Sequence, residues 1–328
     1  MRTAALVLTV LVAFALSIFT GSVDFGIAEV LDVVCGYNPD SAAAFIILES
    51  RLPRALTAML ASAALAVAGL LLQTAFRNPL AGPSIMGVSS GASLGVAIVT
   101  LAAAPLLTTA AGSTAITIAA ALIGSLAVMA LLVLMATWLR NNLMLLIAGI
   151  MLGYLASSVI TLLNYTATAD SIRGYVVWGM GSFGNVDMNL MPLFATATGI
   201  GLLAALFMAK PLNILLLGEN YARNLGVSIN RMRVYLLIVT GVLTGTATAF
   251  CGPVAFIGLA VPHIAALIYR SADHRALIPA CMLCGAATGL LCNVLCSITS
   301  RQLPLNAITP LVGVPVILYI LLRRSKAT

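Results

Sequence analysis

The sequence predicts an all-α polytopic membrane protein, and three observations carry this prediction. The 328 residues are 62% hydrophobic and only 8% charged, whereas a soluble domain is about half apolar and a quarter charged. Apolar segments of about 20 residues, the length that crosses a bilayer, recur along the whole sequence. Alternating polar and apolar strands, the pattern of a membrane barrel, do not occur in it, so helices are expected to satisfy the backbone within lipid.

Ten apolar segments are the predicted spans, and they make one transmembrane domain over 1–328. The first could also be a signal peptide, because Arg2 precedes it and Ala13-Phe14-Ala15 resembles a cleavage pattern. Its apolar run is longer than that of a signal peptide, and nine further segments follow, so we expect a span. In chain order the ten are 4–20, 55–76, 84–107, 113–139, 143–163, 188–209, 232–251, 254–270, 276–300 and 305–322.

The basic residues indicate the orientation of the chain. With the N-terminus inside and ten alternating spans, twelve of the 16 Lys and Arg residues fall on the inner side and four on the outer side. Cytoplasmic loops carry such an excess, so we predict a protein of the cell (inner) membrane with both termini in the cytoplasm. This distribution explains the net charge of +7 without a nucleic-acid partner.

Prolines and glycines interrupt the predicted spans at two related places. Ala75-Phe76-x-x-Pro79-Leu80-Ala81 ends the second span, and Ala249-Phe250-x-x-Pro253-Val254-Ala255 ends the seventh. Irregular backbone at membrane depth is tolerated where it is buried in protein or lines a water-filled path. The two copies have opposite orientations in the predicted topology, which indicates an inverted repeat of spans 2–5 and 7–10.

Two outer loops are predicted, at 21–54 and 164–187. The first ends with Arg51 and Arg54, which are three residues apart and therefore share a helix face. They could reach lipid headgroups, or they could bind carboxylates on an extracytoplasmic protein. The second loop contains aromatic residues among glycines, and we expect a short helix there at the surface.

The inner segment 210–231 is unusually rich in charge for this chain. Gly218 breaks the apolar run, Glu219 suits the positive end of a helix dipole, and Gly226 suits the end of a helix. We therefore expect a short helix over Gly218–Gly226. It could be an ordinary loop or a docking element for a soluble partner.

Histidine and cysteine residues in the spans have a structural and a functional interpretation. His263 follows Pro262 inside a span, where an ionisable group suggests function but could also bind a carbonyl that the proline leaves free. Four cysteines share one face of the ninth span and suggest metal or redox chemistry or close helix packing. No acid or histidine shares that face, which favours packing. The four are Cys281, Cys284, Cys292 and Cys296.

Absent motifs narrow the class of protein. The sequence has no Walker P-loop, so ATP is not expected to bind this chain in that way. Only nine acids are present, and none lies deep in a predicted span, which disfavours a stand-alone secondary transporter. No catalytic cluster and no metal-ligand pattern occurs in the sequence, so we predict neither an enzyme nor a metal site.

Motifs along nearly the whole chain resemble the FecCD family, the permease subunits of type II ABC importers for iron chelates, haem and cobalamin. Each motif is short, but many occur in the family's order. They are Arg51-Leu-Pro-Arg54, Gln73, Asn78-Pro-Leu-Ala81, Gly87-Val-Ser-Ser-Gly-Ala92, Leu146-Ile-Ala-Gly149, Trp178-Gly-Met-Gly-Ser-Phe-Gly184, Gly218-Glu-Asn-Tyr-Ala-Arg-Asn-Leu-Gly226, Phe256-Ile-Gly-Leu-Ala-Val-Pro-His263 and Asp273-His-Arg275.

The resemblance implies ten helices per subunit, a homodimer with the path at its interface, an extracytoplasmic substrate-binding protein and two cytoplasmic ATP-binding subunits. ATP and Mg would then bind the partner ATPase, with no cofactor in this chain. Arg51 and Arg54 match arginines that meet acids of the binding protein. The residues implied in ATPase coupling are Gly218, Glu219, Tyr221, Ala222, Arg223, Leu225 and Gly226. Those implied in the cytoplasmic gate are Asn78, Leu80, Asn142 and Leu143.

The ninth span departs from the family pattern. Asn293 and Ser297 stand where the family often has an Asp and an Arg, and Gln302 stands where a Glu is common. Arg301 could replace the lost arginine as a contact for the binding protein. An iron-siderophore complex is the expected substrate of the importer, with haem and cobalamin as alternatives, and a stand-alone secondary transporter is the alternative from another class.

Overall fold

The computed structural model of the chain describes residues 1–21, 23, 25–34, 36–37, 41–102, 110–139, 142–298 and 303–325, and every element in these ranges is helical. Its α-helices are α1 (Arg2–Phe19), α2 (Ile27–Val34), α3 (Ala42–Ile46), α4 (Leu52–Phe76), α5 (Val88–Ala97), α6 (Ala110–Trp138), α7 (Asn142–Thr166), α8 (Ala169–Gly179), α9 (Met191–Phe207), α10 (Ala209–Leu216), α11 (Glu219–Asn224), α12 (Ile229–Cys251), α13 (Ile257–Tyr269), α14 (His274–Ser297) and α15 (Leu305–Ser325). Two π-helical turns, Ile47–Arg51 and Ile98–Ala102, extend α3 and α5.

Every predicted span overlaps one of these helices. Six described helices are long and apolar enough to cross a membrane, namely α1, the continuous helix Ala42–Phe76, and α6, α7, α12 and α14. The pair α9 and α10 makes a seventh span if it is counted as one helix bent by 46°. Shorter apolar helices cover 88–102, 257–269 and 305–319. The structure is therefore all-α and polytopic as predicted, and the count of ten spans stays a prediction.

The two halves named in the predicted repeat have the same order of helices. A long helix, a short apolar helix, a second long helix and a fourth apolar helix follow one another in α4–α7 and again in α12–α15. The contacts repeat as well, because α4 packs on α14 as α12 packs on α6, and α5 contacts α6 and α7 as α13 contacts α14 and α15. This correspondence supports the predicted relation between spans 2–5 and 7–10.

Small residues bring the central helices into close contact. α4 packs on α12, α13 and α14, and most of its side chains are buried. At Gly69 of α4, a Cβ would lie 1.7 Å from the carbonyl oxygen of Gly258 in α13. At Gly289 of α14, a Cβ would lie 2.4 Å from the carbonyl oxygen of Ala58. Glycine is required where two backbones approach this closely.

The cysteine face of α14 lies inside this core. Cys281, Cys284, Cys292 and Cys296 are all buried free thiols. Within the described residues, no three His, Cys, Asp or Glu side chains lie close enough together to hold a metal ion. The burial of all four fits the packing interpretation of this face.

Short helices occupy both predicted outer loops. α2 and α3 lie within 21–54, and Pro53 lies in the first turn of α4, as its fixed φ favours. In the second loop, α8 has no buried residue, and Tyr175 stacks on Trp178 with ring centroids 6.4 Å apart. The predicted short surface helix in 164–187 is therefore confirmed.

Candidate functional site

The inner segment contains the short helix that the sequence predicts. α11 begins after Gly218, whose φ of +117° is open only to glycine, and the chain turns away at Gly226 with φ +80°. The backbone N–H of Gly226 donates to the carbonyl of Arg223, and that of Val227 donates to Ala222. Glycines therefore set both ends of α11 as a compact unit, with Glu219 in its first turn.

α11 presents one buried side chain and an exposed apolar face. Ala222 is fully buried, whereas Tyr221 and Leu225 are 55% and 54% exposed. Arg223 is exposed beside them, and Leu217 is exposed just before the helix. Exposed apolar groups rimmed by charge are typical of a protein-interaction surface.

Glu219, which is partly buried in the first turn of α11, contacts the ends of other helices. The side-chain amide of Asn142, the first residue of α7, donates to Glu219 Oε1 at 2.9 Å. The same amide nitrogen donates to the carbonyl of Ala75, near the end of α4, at 2.9 Å. Asn142, predicted as a gate residue, therefore connects the start of α7 to both α4 and α11.

Arg233, one of the basic residues counted on the inner side, completes this cluster from a buried position. An anchor would extend its guanidinium to water or headgroups, but Arg233 is 7% exposed. Its Nη1 donates to the carbonyl of Leu139, beyond the end of α6, at 3.0 Å. Its Nη2 lies 3.9 Å from Glu219 Oε1. Arg233 is thus an internal partner of α11.

The helix before α11 is fixed by hydrogen bonds of its own. Asn213 in α10 accepts from the backbone N–H of His274 at 2.8 Å, and its amide donates to Asp273. His274 Nε2 lies 2.8 Å from the hydroxyl of Thr74 in α4. Hydrogen bonds from the Arg275 N–H and from Asn213 hold the pKa of Asp273 below its usual value. These bonds tie α10 to α4 and α14, so the position of α11 follows that of the core.

The loop after α4 holds the other predicted gate residues. Asn78 Oδ1 accepts from the backbone N–H of Leu80 at 2.9 Å, a local turn that leaves the Leu80 side chain half exposed. His263 Nε2 lies 2.9 Å from the carbonyl oxygen of Pro79. The histidine therefore binds a backbone carbonyl, that of Pro79 in the loop after α4. Leu143, next to Asn142, is also mostly exposed.

Arg51 does not lie at the outer surface, which corrects its predicted position. It is 6% exposed and donates to the carbonyls of Ile18 and Phe19 at 2.8 and 2.9 Å, and also to that of Val23. Its guanidinium carbon lies 4.9 Å from the centroid of the Phe25 ring. These contacts join the end of α1 to the start of α4, so a direct contact of Arg51 with a binding protein is not compatible with this geometry.

Arg54 has a partner on the ninth span. Its Nε donates to Asn293 Oδ1 at 2.8 Å, and the Asn293 amide donates to Ser17 Oγ in α1 at 2.6 Å. Ser297 Oγ donates to the Asn293 backbone carbonyl. Asn293 thus joins α14 to α1 and α4, whereas the printed bond of Ser297 lies within α14. Arg54 is only partly buried. Arg301, the third predicted contact, lies outside the described residues.

Asn306 is a polar contact that sequence reasoning missed. Its amide in α15 donates to the carbonyls of Gly179 and Pro253 at 2.8 and 2.7 Å, and its Oδ1 accepts from the Ala255 N–H at 3.3 Å. It therefore satisfies the irregular backbone between α12 and α13. A polar amide within an apolar segment was the available signal.

Comparisons with known proteins agree with this architecture. The model of the FecCD transport family matches residues 8–323. The vitamin B12 import system permease protein BtuC of Citrobacter koseri is 38% identical over 279 residues, covering 84% of this chain and 82% of that protein. BtuC of Klebsiella pneumoniae is 37% identical over 280 residues, again with 84% and 82% coverage.

A solved structure is similar over almost its full length. It is described as a metal-chelate type ABC transporter in an inward-facing conformation, and it aligns with a TM-score of 0.86, 27% identity and coverage of 97% of this chain and 98% of that one. Fold and site thus define a polytopic transport permease of the ABC-importer class, a membrane protein and not an enzyme. The chain belongs to the FecCD transport family.

Proposed function

We propose that this chain is the membrane permease of an ATP-driven importer and that it moves a metal chelate inward from an extracytoplasmic binding protein. The observation that carries the proposal is α11, a short helix with an exposed apolar face whose first residue, Glu219, accepts a hydrogen bond from the predicted gate residue Asn142. A partner that grips the exposed face of α11 can move the gate through that bond. ATP hydrolysis, with its Mg, belongs to two cytoplasmic ATP-binding subunits.

We propose that the coupling residues lie on the cytoplasmic side, with both termini, in the cell (inner) membrane. The excess of inner Lys and Arg supports this orientation. The functional assembly is a homodimer with the path at its interface. Most of the apolar surface of α7 is exposed in the single chain, which leaves it free for lipid or for the second copy.

Cobalamin is the first substrate to test. Relatives at 37 and 38% identity are named as vitamin B12 permeases, which favours a corrinoid over the iron-siderophore complex that the sequence suggested. A ferric siderophore is the second candidate, because the similar solved structure is described as a metal-chelate transporter. Affinities of the cognate binding protein for cyanocobalamin, a ferric hydroxamate and haem decide among the three. Binding of none of them contradicts the metal-chelate assignment.

At the outer surface, Arg54 is the arginine proposed to meet an acidic group of the binding protein. It is partly exposed, whereas Arg51 is buried and positions the start of α4. Arg301 remains a proposed contact on sequence grounds alone.

Co-purification tests the docking assignment of α11. We expect the wild-type chain to retain the ATP-binding subunit of its own transport system, and the variant Tyr221→Asp/Leu225→Asp to lose most of it. Both side chains are exposed, so the two charges leave the fold intact while they disfavour burial in an interface. Val176→Asp/Val177→Asp, on the exposed outer helix α8, is the matched control. Full retention by the α11 variant contradicts the assignment.

A further inference from the structure

We infer that Asn142, Glu219 and Arg233 form a coupling latch that carries the movement of α11 to the cytoplasmic gate. Arg233 and Glu219 are its positioning residues, and Asn142 is the point at which it meets the gate. The inference rests on the proposed function, because it describes how a partner's force on α11 reaches the path.

The latch holds both sides of the connection between α6 and α7. Arg233 binds the carbonyl of Leu139 on one side, and Glu219 binds the amide of Asn142 on the other side. The ion pair between Arg233 and Glu219, at 3.9 Å, closes the cluster. Leu139 and Asn142, which flank this connection, therefore cannot shift relative to Arg233 and Glu219 without the loss of at least one of these contacts.

The burial of Arg233 distinguishes the latch from an ion pair between two exposed side chains, and its partner Glu219 is 32% exposed. A surface pair is worth little, about 0–1 kcal/mol, but Arg233 is 7% exposed at the start of a membrane-spanning helix. Burial of a charge is unfavourable unless the charge is paired and hydrogen-bonded. The geometry thus assigns Arg233 a bridging role, because its guanidinium contacts the Leu139 carbonyl and the Glu219 carboxylate at the same time.

The fork of the guanidinium explains why arginine occupies this position. Nη1 and Nη2 reach different partners, the Leu139 carbonyl and the Glu219 carboxylate. A lysine keeps the charge but is a single point donor on a flexible stem. Arg233→Lys therefore removes the bridge while it preserves the charge balance of the site.

The latch contacts the gate on two helices. The amide nitrogen of Asn142 also donates to Ala75, three residues before Asn78 and on the helix that leads to Leu80. Leu143 follows Asn142 directly on α7. A displacement of α11 therefore moves both groups of predicted gate residues, and it does so through hydrogen bonds and not through lipid-facing side chains.

The first test compares two conservative arginine variants in the complete transporter. The permease is reconstituted with its ATP-binding subunit and binding protein, and uptake of cyanocobalamin, with a ferric hydroxamate in parallel, is measured per ATP hydrolysed. We expect Arg233→Lys to assemble and to hydrolyse ATP but to transport about tenfold less per ATP, the scale of one lost charge-assisted hydrogen bond. Arg231→Lys, the same exchange at an exposed arginine two residues away, should match the wild type.

The second test reverses the polarity of the bond between α7 and α11. Asn142→Asp places a carboxylate against Glu219 and the Ala75 carbonyl, so we expect transport per ATP to fall. Adding Glu219→Gln supplies a donor to the new Asp, and we expect a partial recovery. Asn230→Asp, at an exposed residue in the first turn of α12, controls for the added negative charge.

Three results would overturn the latch. The first is wild-type transport per ATP in both Arg233→Lys and Asn142→Asp. The second is loss of assembly in Arg233→Lys, which would make the residue purely structural. The third is no recovery of transport when Glu219→Gln is added to Asn142→Asp. None of them affects the docking assignment, which fails only if the Tyr221/Leu225 variant keeps its ATP-binding subunit. The two failures are therefore distinguishable.

Discussion

Arg51 and Arg233 each lie near a predicted membrane surface, and each is turned inward by carbonyl groups that the helices leave without partners. Arg51 binds carbonyls at the end of α1, and Arg233 binds one beyond the end of α6. Helix C-termini expose carbonyls that need donors, and an arginine can satisfy two or three of them at once. A count of charges on each side of the membrane therefore locates an arginine without stating its role.

Replacement of Arg51 tests its internal role. Arg51→Met keeps a similar volume but leaves the carbonyls of Ile18, Phe19 and Val23 without this donor, and each unsatisfied buried group costs about 1–3 kcal/mol. We expect a clear fall in the thermal midpoint of the detergent-purified protein. Arg173→Met, at an exposed arginine of α8, should leave the midpoint unchanged. An unchanged midpoint in Arg51→Met, with loss of binding-protein docking, would instead favour the surface contact.

A single sequence reveals the local signals that begin and end a helix, but it does not reveal contacts between residues that are far apart in the chain. The bounds of α11 could be predicted because Gly218, Glu219 and Gly226 act within one short segment. The bond from Asn142 to Glu219 joins residues 77 apart, and that from Arg233 to Leu139 joins residues 94 apart. Hydrophobic patterning carries no information on such pairs. The sequence therefore indicates only that Arg233 lies near the inner end of a span, and its partners are seen only in the fold.

At the scale of elements, helix contacts depend on glycines that allow two backbones to meet. Predicted spans and observed helices agree because apolar length is a strong signal, whereas the choice of neighbour is set by small residues. Gly69 is the clearest case, since α13 passes directly over it at Gly258. The sequence contains 27 glycines, and spacing alone does not show which of them lie at a crossing.

Two alanine substitutions separate a crossing glycine from an ordinary one. Gly69→Ala would place a methyl group 1.7 Å from the Gly258 carbonyl, so α13 must move, and overpacking of this kind costs about 1–3 kcal/mol. Gly199→Ala in α9 meets nothing within 4 Å. We expect a lower thermal midpoint for the first variant and an equal or higher one for the second. Equal midpoints would show that α4 and α13 are not packed as described.

At the scale of the whole molecule, the repeated order of helices places two irregular segments beside the core. Residues after α4 contact α13 through His263 and Pro79, and residues after α12 contact α15 through Asn306. The sequence predicted these interruptions from proline and glycine, and the fold shows how their backbone groups are satisfied. α11 lies outside the repeat, between α10 and α12, where we propose that the ATP-binding subunit docks.

ATP-dependent uptake into proteoliposomes tests the central claim most directly. Cyanocobalamin accumulation is measured with the permease alone, with the full complex and ATP, and with the full complex and a non-hydrolysable ATP analogue. The account predicts sustained accumulation only in the full complex with ATP. Accumulation by the permease alone, driven by an ion gradient, would contradict it and would identify a secondary transporter.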